Sequence, residues 1–81
     1  MRVTLYPAQA TPKTVTVTTF TELQKLVGGY VTPAVFTPAG DLLVNEEGLL
    51  LGLPANQHYP RFVGDVVLAP TGWGDLPYGA Q

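Results

Sequence analysis

The 81-residue sequence predicts an α+β fold: a mainly antiparallel sheet of five or six strands with one short helix packed on one face. Three observations predict it. Two N-terminal stretches alternate β-branched or aliphatic residues with polar ones, the period of a half-buried strand. One stretch carries apolar residues at helical spacing and stops on two glycines. Proline, asparagine and glycine stand as turn residues between the apolar runs that follow, so a meander is expected to continue.

Residues 2–6 form the first strand, with Val3 and Leu5 on one face and Arg2, Thr4 and Tyr6 on the other. Residues 14–18 alternate more strictly, Val15 and Val17 facing away from Thr14, Thr16 and Thr18. The connector between them holds Pro7 and Pro12, so the pair reads as a wide hairpin with a loose loop. Thr21-Glu22-Leu23-Gln24 then reads as a capping box, Leu23, Leu26 and Val27 recur at helical spacing, and Gly28-Gly29 supplies the stop. A helix barely two turns long must lie on a sheet to be stable.

Residues 30–36 are the third strand, in which Pro33 has no N–H for the ladder and marks an edge or a bulge. Thr37-Pro38-Ala39-Gly40 is a turn with proline at its second position. Residues 41–45 and 49–52 are expected to be strands joined by Asn45-Glu46-Glu47-Gly48, with Gly48 in a left-handed turn position. Leu42, Leu43, Val44 and Leu49, Leu50, Leu51 lack alternation, which predicts strands covered on both faces. Residues 53–62 are a loop, residues 63–68 a last strand with a bulge at Gly64, and the first 69 residues make one domain. Residues 70–81 form an extended tail, ordered only if something holds it; Trp73 between two glycines suits an anchor, docked on its own domain or on a partner.

Charge is the unusual quantity. Asp, Glu, Lys and Arg make up 12% of the chain, about half the usual share. A surface short of charge is poorly defended against association, which suggests cover by a partner or a second copy; threonine-rich sheet faces that need little charge are the plainer explanation. Net charge is −2, and the four cations, Arg2, Lys13, Lys25 and Arg61, are scattered. Nucleic-acid binding is therefore not expected, since it draws on clustered cations. No apolar run approaches the ~20 residues of a membrane span and no signal peptide is read, so a soluble, cytoplasmic protein is expected.

The chain has no serine, no cysteine and one histidine, which rules out Ser-His-Asp and Cys-His nucleophile arrangements. Gly28-Gly29 follows a helix rather than opening one, so it cannot aim a helix N-terminus at phosphate. His58, Glu46, Glu47 and Asp65 show no metal-ligand spacing. No enzyme activity, metal or cofactor is expected. The polar loop Asn56-Gln57-His58-Tyr59-Pro60-Arg61 supplies the candidate contacts Asn56, His58, Tyr59 and Arg61. Asn45 and Trp73 complete the candidate binding set. Asn56 suits an Asx turn equally well, and His58 a surface histidine beside an aromatic.

Several motifs between residues 26 and 68 carry a family resemblance: Leu26-Val27-Gly28-Gly29-Tyr30, Val44-Asn45-Glu46-Glu47-Gly48, Gly52-Leu53-Pro54 with Asn56, and Val63-Gly64-Asp65-Val66-Val67. Together they resemble the family called domain of unknown function 3846, small uncharacterised proteins found mainly in phages, prophages and plasmids. The threonine-rich second strand and the Gly-Trp-Gly tail depart from it. The family's distribution implies a phage or mobile-element accessory protein; with the lack of catalytic groups and the charge-poor surface, stoichiometric binding is expected, inhibiting or redirecting a host protein in the host cytoplasm. The alternative is sequestration of a nucleotide signal in counter-defence, with Tyr30, Tyr59, Trp73, Arg61 and Asn56 as the stacking and donor groups. Self-association as a homodimer is also expected, through residues 30–36 or the apolar residues 49–51.

Overall fold

Five strands and one helix follow in the order β1 (Arg2–Tyr6), β2 (Lys13–Thr16), α1 (Phe20–Val27), β3 (Val31–Thr37), β4 (Gly40–Asn45) and β5 (Val66–Ala69), with a 3-10 turn at Trp73–Asp75. The computed structural model describes residues 1–79; Ala80 and Gln81, the end of the expected tail, lie outside the described residues. The strands form one sheet ordered β2-β1-β5-β4-β3, and every neighbouring pair is antiparallel. The fold is α+β, as the alternation and the single helix predict.

Alternation in β1 sends Val3 and Leu5 to the helix side, where they are buried. Register then stacks rows across the sheet: Leu5 pairs with Val67, which pairs with Leu43. These three, with Val3, Val17 and Ala69, close on Leu23 and Val27 of α1 to make the core. Only two helix residues are buried, so α1 contributes a narrow stripe and the sheet supplies most of the apolar surface.

The helix begins earlier than its expected cap. Thr19, not Thr21, is the N-cap: its hydroxyl accepts from the Glu22 N–H at 3.1 Å, and the Glu22 carboxylate accepts from the N–H groups of Thr18 and Thr19. Both threonines precede a suitable residue by three, but the box from Thr19 places an anion, rather than Gln24, at the positive end of the helix. The Thr18 backbone N–H, chiefly, holds the Glu22 carboxyl below its ordinary range. Thr21 instead donates its hydroxyl to the Tyr78 carbonyl. The expected stop holds: Gly28 is left-handed, with φ 78°, and the Gly29 N–H returns to the Gln24 carbonyl.

Pro33 marks both an edge and a bulge. It lies in the outer strand β3, and the register with β4 shifts between Pro33 and Val35. The expected hairpin between residues 41–45 and 49–52 does not form. Residues 49–52 are not a strand, Gly48 is not left-handed, and Leu49, Leu50 and Leu51 are exposed rather than covered. The chain curls after Asn45 instead: the Leu51 N–H donates to the Glu47 carbonyl, Gly52 to Leu49 and Leu53 to Gly48, with Gly52 the left-handed residue at φ 67°. That pairing is the usual way a helical turn ends on glycine, and leucine favours it over a strand. Gly48 is confined by space rather than by φ, since a Cβ there would lie 2.9 Å from Val63 Cγ2.

The place beside β4 is taken by β5, which inserts between β4 and β1. It starts at Val66 rather than at residue 63; Val63 makes an isolated bridge to Ala55, and Gly64, at φ 76°, turns the chain into the strand. Beyond β5 the tail folds back over the helix N-terminus. The Phe20 and Thr21 N–H groups, which no helical carbonyl can reach, donate to Pro77 and Tyr78.

Candidate interaction surface

Of the six residues singled out from sequence, Asn56, His58 and Tyr59 come together in one loop, while Asn45 and Trp73 are held elsewhere by their own contacts. Asn45 is buried at the end of β4, where its Nδ2 donates to the Val27 carbonyl at 3.0 Å and its Oδ1 accepts from the Glu47 N–H at 2.8 Å. It ties the last turn of α1 to the start of the 46–52 curl. Asp41 and Asn45 share the helix side of β4 with Leu43. Four residues of strand put them about 13 Å apart. Trp73 sits at the Asp41 end, its indole Nε1 donating to Asp41 Oδ2 at 2.8 Å and its ring packed against the core and Phe20.

Asn56 is 1% exposed and fully committed. Its Nδ2 donates to the carbonyls of Tyr6 and Gly64, while its Oδ1 accepts from the N–H groups of His58 and Tyr59. An asparagine side chain offers two donor hydrogens and an oxygen with two lone pairs, so nothing remains for a ligand. The Asx-turn reading of this residue matches that geometry. His58 is half-buried, with Nε2 2.7 Å from the Ala10 carbonyl, and it fastens the β1–β2 connector. Tyr59 packs edge-on against Tyr6, and burial, then Tyr6, holds its phenol above the ordinary range. Arg61 is exposed, its guanidinium 6.0 Å from the Phe62 ring centre.

The groups named for nucleotide stacking therefore do not face one another. Tyr59 lies on Tyr6, Trp73 lies on Asp41, and Tyr30 stands at the mouth of β3. Among the described residues, no three metal-ligating side chains gather closely enough to hold an ion. No helix among them is long and apolar enough to cross a membrane.

Sequence reasoning named residues 49–51 for self-association but missed the curl that holds them out. Leu49, Leu50 and Leu51 are 84%, 86% and 59% exposed, three consecutive leucines held out on a turn whose backbone is hydrogen-bonded to itself. Scattered exposed leucines are ordinary, but a contiguous run is a mark of an interaction site. The signal was in the sequence: three unbranched-at-Cβ residues with no alternation, between Gly48 and Gly52, fit a turn as well as a strand. Glu46 and Glu47, both exposed, precede the leucines. Tyr30, 66% exposed, adjoins them through its carbonyl, which accepts from the Glu46 N–H at 2.7 Å. Beside this turn an open groove of about 450 Å³ runs along the helix, lined by Thr21, Gln24, Lys25, Gly28, Gly29 and Tyr30.

Fold and surface together define a small single-sheet α+β domain with an apolar turn projecting from one end. The family described as Domain of unknown function (DUF3846) matches residues 1–77, and the chain belongs to that family. No curated protein and no solved structure matches it.

Proposed function

We propose that this is a non-catalytic binding protein that acts stoichiometrically, docking its leucine turn on another protein. As an accessory protein of a phage or mobile element, its target is a protein of the bacterial host, which it inhibits or redirects in the host cytoplasm. The observation that carries this reading is the exposure of Leu49, Leu50 and Leu51 on a pre-formed turn. Together they hold out a little over two full leucine side chains, about 3–7 kcal/mol at about 1.5–3 kcal/mol each. Association costs about 4–15 kcal/mol, so the leucines anchor a complex but do not suffice for a tight one. Glu46, Glu47 and Tyr30 around the turn supply the remaining contacts. A turn fixed by its own hydrogen bonds loses little freedom on docking, which favours it over a mobile loop as an anchor.

Affinity capture from host lysate tests the reading, with tagged wild-type protein compared with Leu50→Glu and with His58→Ala. Leu50 is 86% exposed, so its replacement leaves the fold intact. One host protein retained in fixed ratio by wild type and His58→Ala, and lost by Leu50→Glu, is the expected result. A partner retained equally by all three variants would refute the docking role of the turn.

A further inference from the structure

The turn and the groove beside it occur on the same end of the same molecule, and each has what the other lacks. The turn is a convex apolar tip preceded by two carboxylates, Glu46 and Glu47. The groove is open, and Gly28, Gly29, the exposed Tyr30 and the exposed Lys25 are among the residues that line it. The hydrogen bonds from Glu46 N–H to the Tyr30 carbonyl and from Asn45 Nδ2 to the Val27 carbonyl fix turn and groove side by side. A two-fold axis requires that arrangement, since an isologous interface uses one continuous, self-complementary patch on both copies.

We infer that the occupant of the groove is the leucine turn of a second copy of this chain, exchanged reciprocally across a two-fold axis. In that dimer the three leucines of each copy lie against the partner copy's Tyr30 and its Gly28-Gly29 pair. Lys25 of each faces the acidic pair of the other. The edges of the sheet offer no comparable route. β2 is short, and β3 carries Pro33 and a bulge, which blunt it against strand addition. An acidic approach to the leucines also disfavours an anionic membrane surface as occupant.

Size sets the expected strength. Turn and groove amount to about ten residues a side, against about 20–30 in a standard interface, so the dimer belongs to the weak, micromolar class. The inference shares with the reading above the premise that the turn docks, and it names a different occupant: a host target would compete with the second copy for the same leucines.

Sedimentation equilibrium of the full chain, up to millimolar concentration, tests it. A reversible monomer–dimer equilibrium is expected, weakened about thirtyfold or more by Leu50→Glu, as for a central anchor. Lys25→Glu should also weaken it, and adding Glu46→Lys and Glu47→Lys to that variant should restore it, a rescue that loss of folding would not produce. Circular dichroism of each variant checks the fold. A wild-type chain that stays monomeric at millimolar concentration would overturn the dimer, as would a dimer indifferent to Leu50→Glu or a charge reversal without rescue. Flotation of the monomer with phosphatidylglycerol vesicles would assign the turn to a membrane surface and overturn it too. A monomeric chain that still captures a host protein through Leu50 would overturn the dimer alone and leave the docking role of the turn standing.

Discussion

Replacing Asn56 tests whether this buried amide builds the fold or serves a ligand. Its side chain makes four hydrogen bonds, at 2.8 and 2.9 Å to the carbonyls of Tyr6 and Gly64 and at 2.8 and 3.0 Å from the N–H groups of His58 and Tyr59. Asn56→Ala removes all four and leaves one buried and three half-buried backbone groups without that partner. At about 0.5–1.5 kcal/mol per net bond the loss is about 2–5 kcal/mol. Scaling per residue puts the whole domain at about 4–12 kcal/mol, so the variant should be close to unfolding at 37 °C. Asn56→Asp keeps the acceptor oxygen but turns the two donor hydrogens into a second acceptor facing two carbonyls. It should cost at least as much at neutral pH and recover part of the loss in acid, where protonation restores one donor. Urea denaturation of both, beside the exposed-site control Gln57→Ala, reads the effect as a shift in midpoint at unchanged slope. A midpoint for Asn56→Ala no lower than that of Gln57→Ala would refute the structural role and return the residue to the list of ligand contacts.

Gly48→Val should destabilise the domain by about 1–3 kcal/mol, because its Cβ alone would press to 2.9 Å on Val63 Cγ2, whereas Glu46→Ala at an exposed site should stay within about 0.5 kcal/mol. Equal denaturation midpoints for the two would contradict that packing. Removing residues 70–81 should lower Tm by about 10 °C or more, since it unpairs the Phe20 and Thr21 N–H groups, strips the Trp73 bond from buried Asp41 and uncovers core. Calorimetry of the truncated chain measures it, and an unchanged Tm would make the tail a bystander.

What the sequence by itself determined is what depends on neighbours in the chain. Alternation set β1 and β2 because side chains two apart share a face whatever the strand pairs with. Gly28 ended the helix because only glycine takes φ 78° without cost, and Pro33 marked an irregular edge because it has no N–H to give. The cap was legible as a type but not to the residue, since Thr19 and Thr21 both head a suitable tetrad; the box closes on Glu22 from Thr19, and Thr21 donates instead to a tail carbonyl 57 residues away. Only the tertiary structure decided the fate of the two central apolar runs. Leu42 and Leu43 in β4 and the three leucines that follow look alike in sequence, yet one run is buried and the other exposed. The difference is competition for one place in the sheet: β5 arrives from more than twenty residues further on, occupies the free edge of β4 and bridges it to β1, so the nearer segment must curl outward. Asn56 was likewise visible as a turn residue, but its donors reach a carbonyl 50 residues away. Long-range pairing is settled by the whole set of strands at once, and no local period or turn signal carries that information.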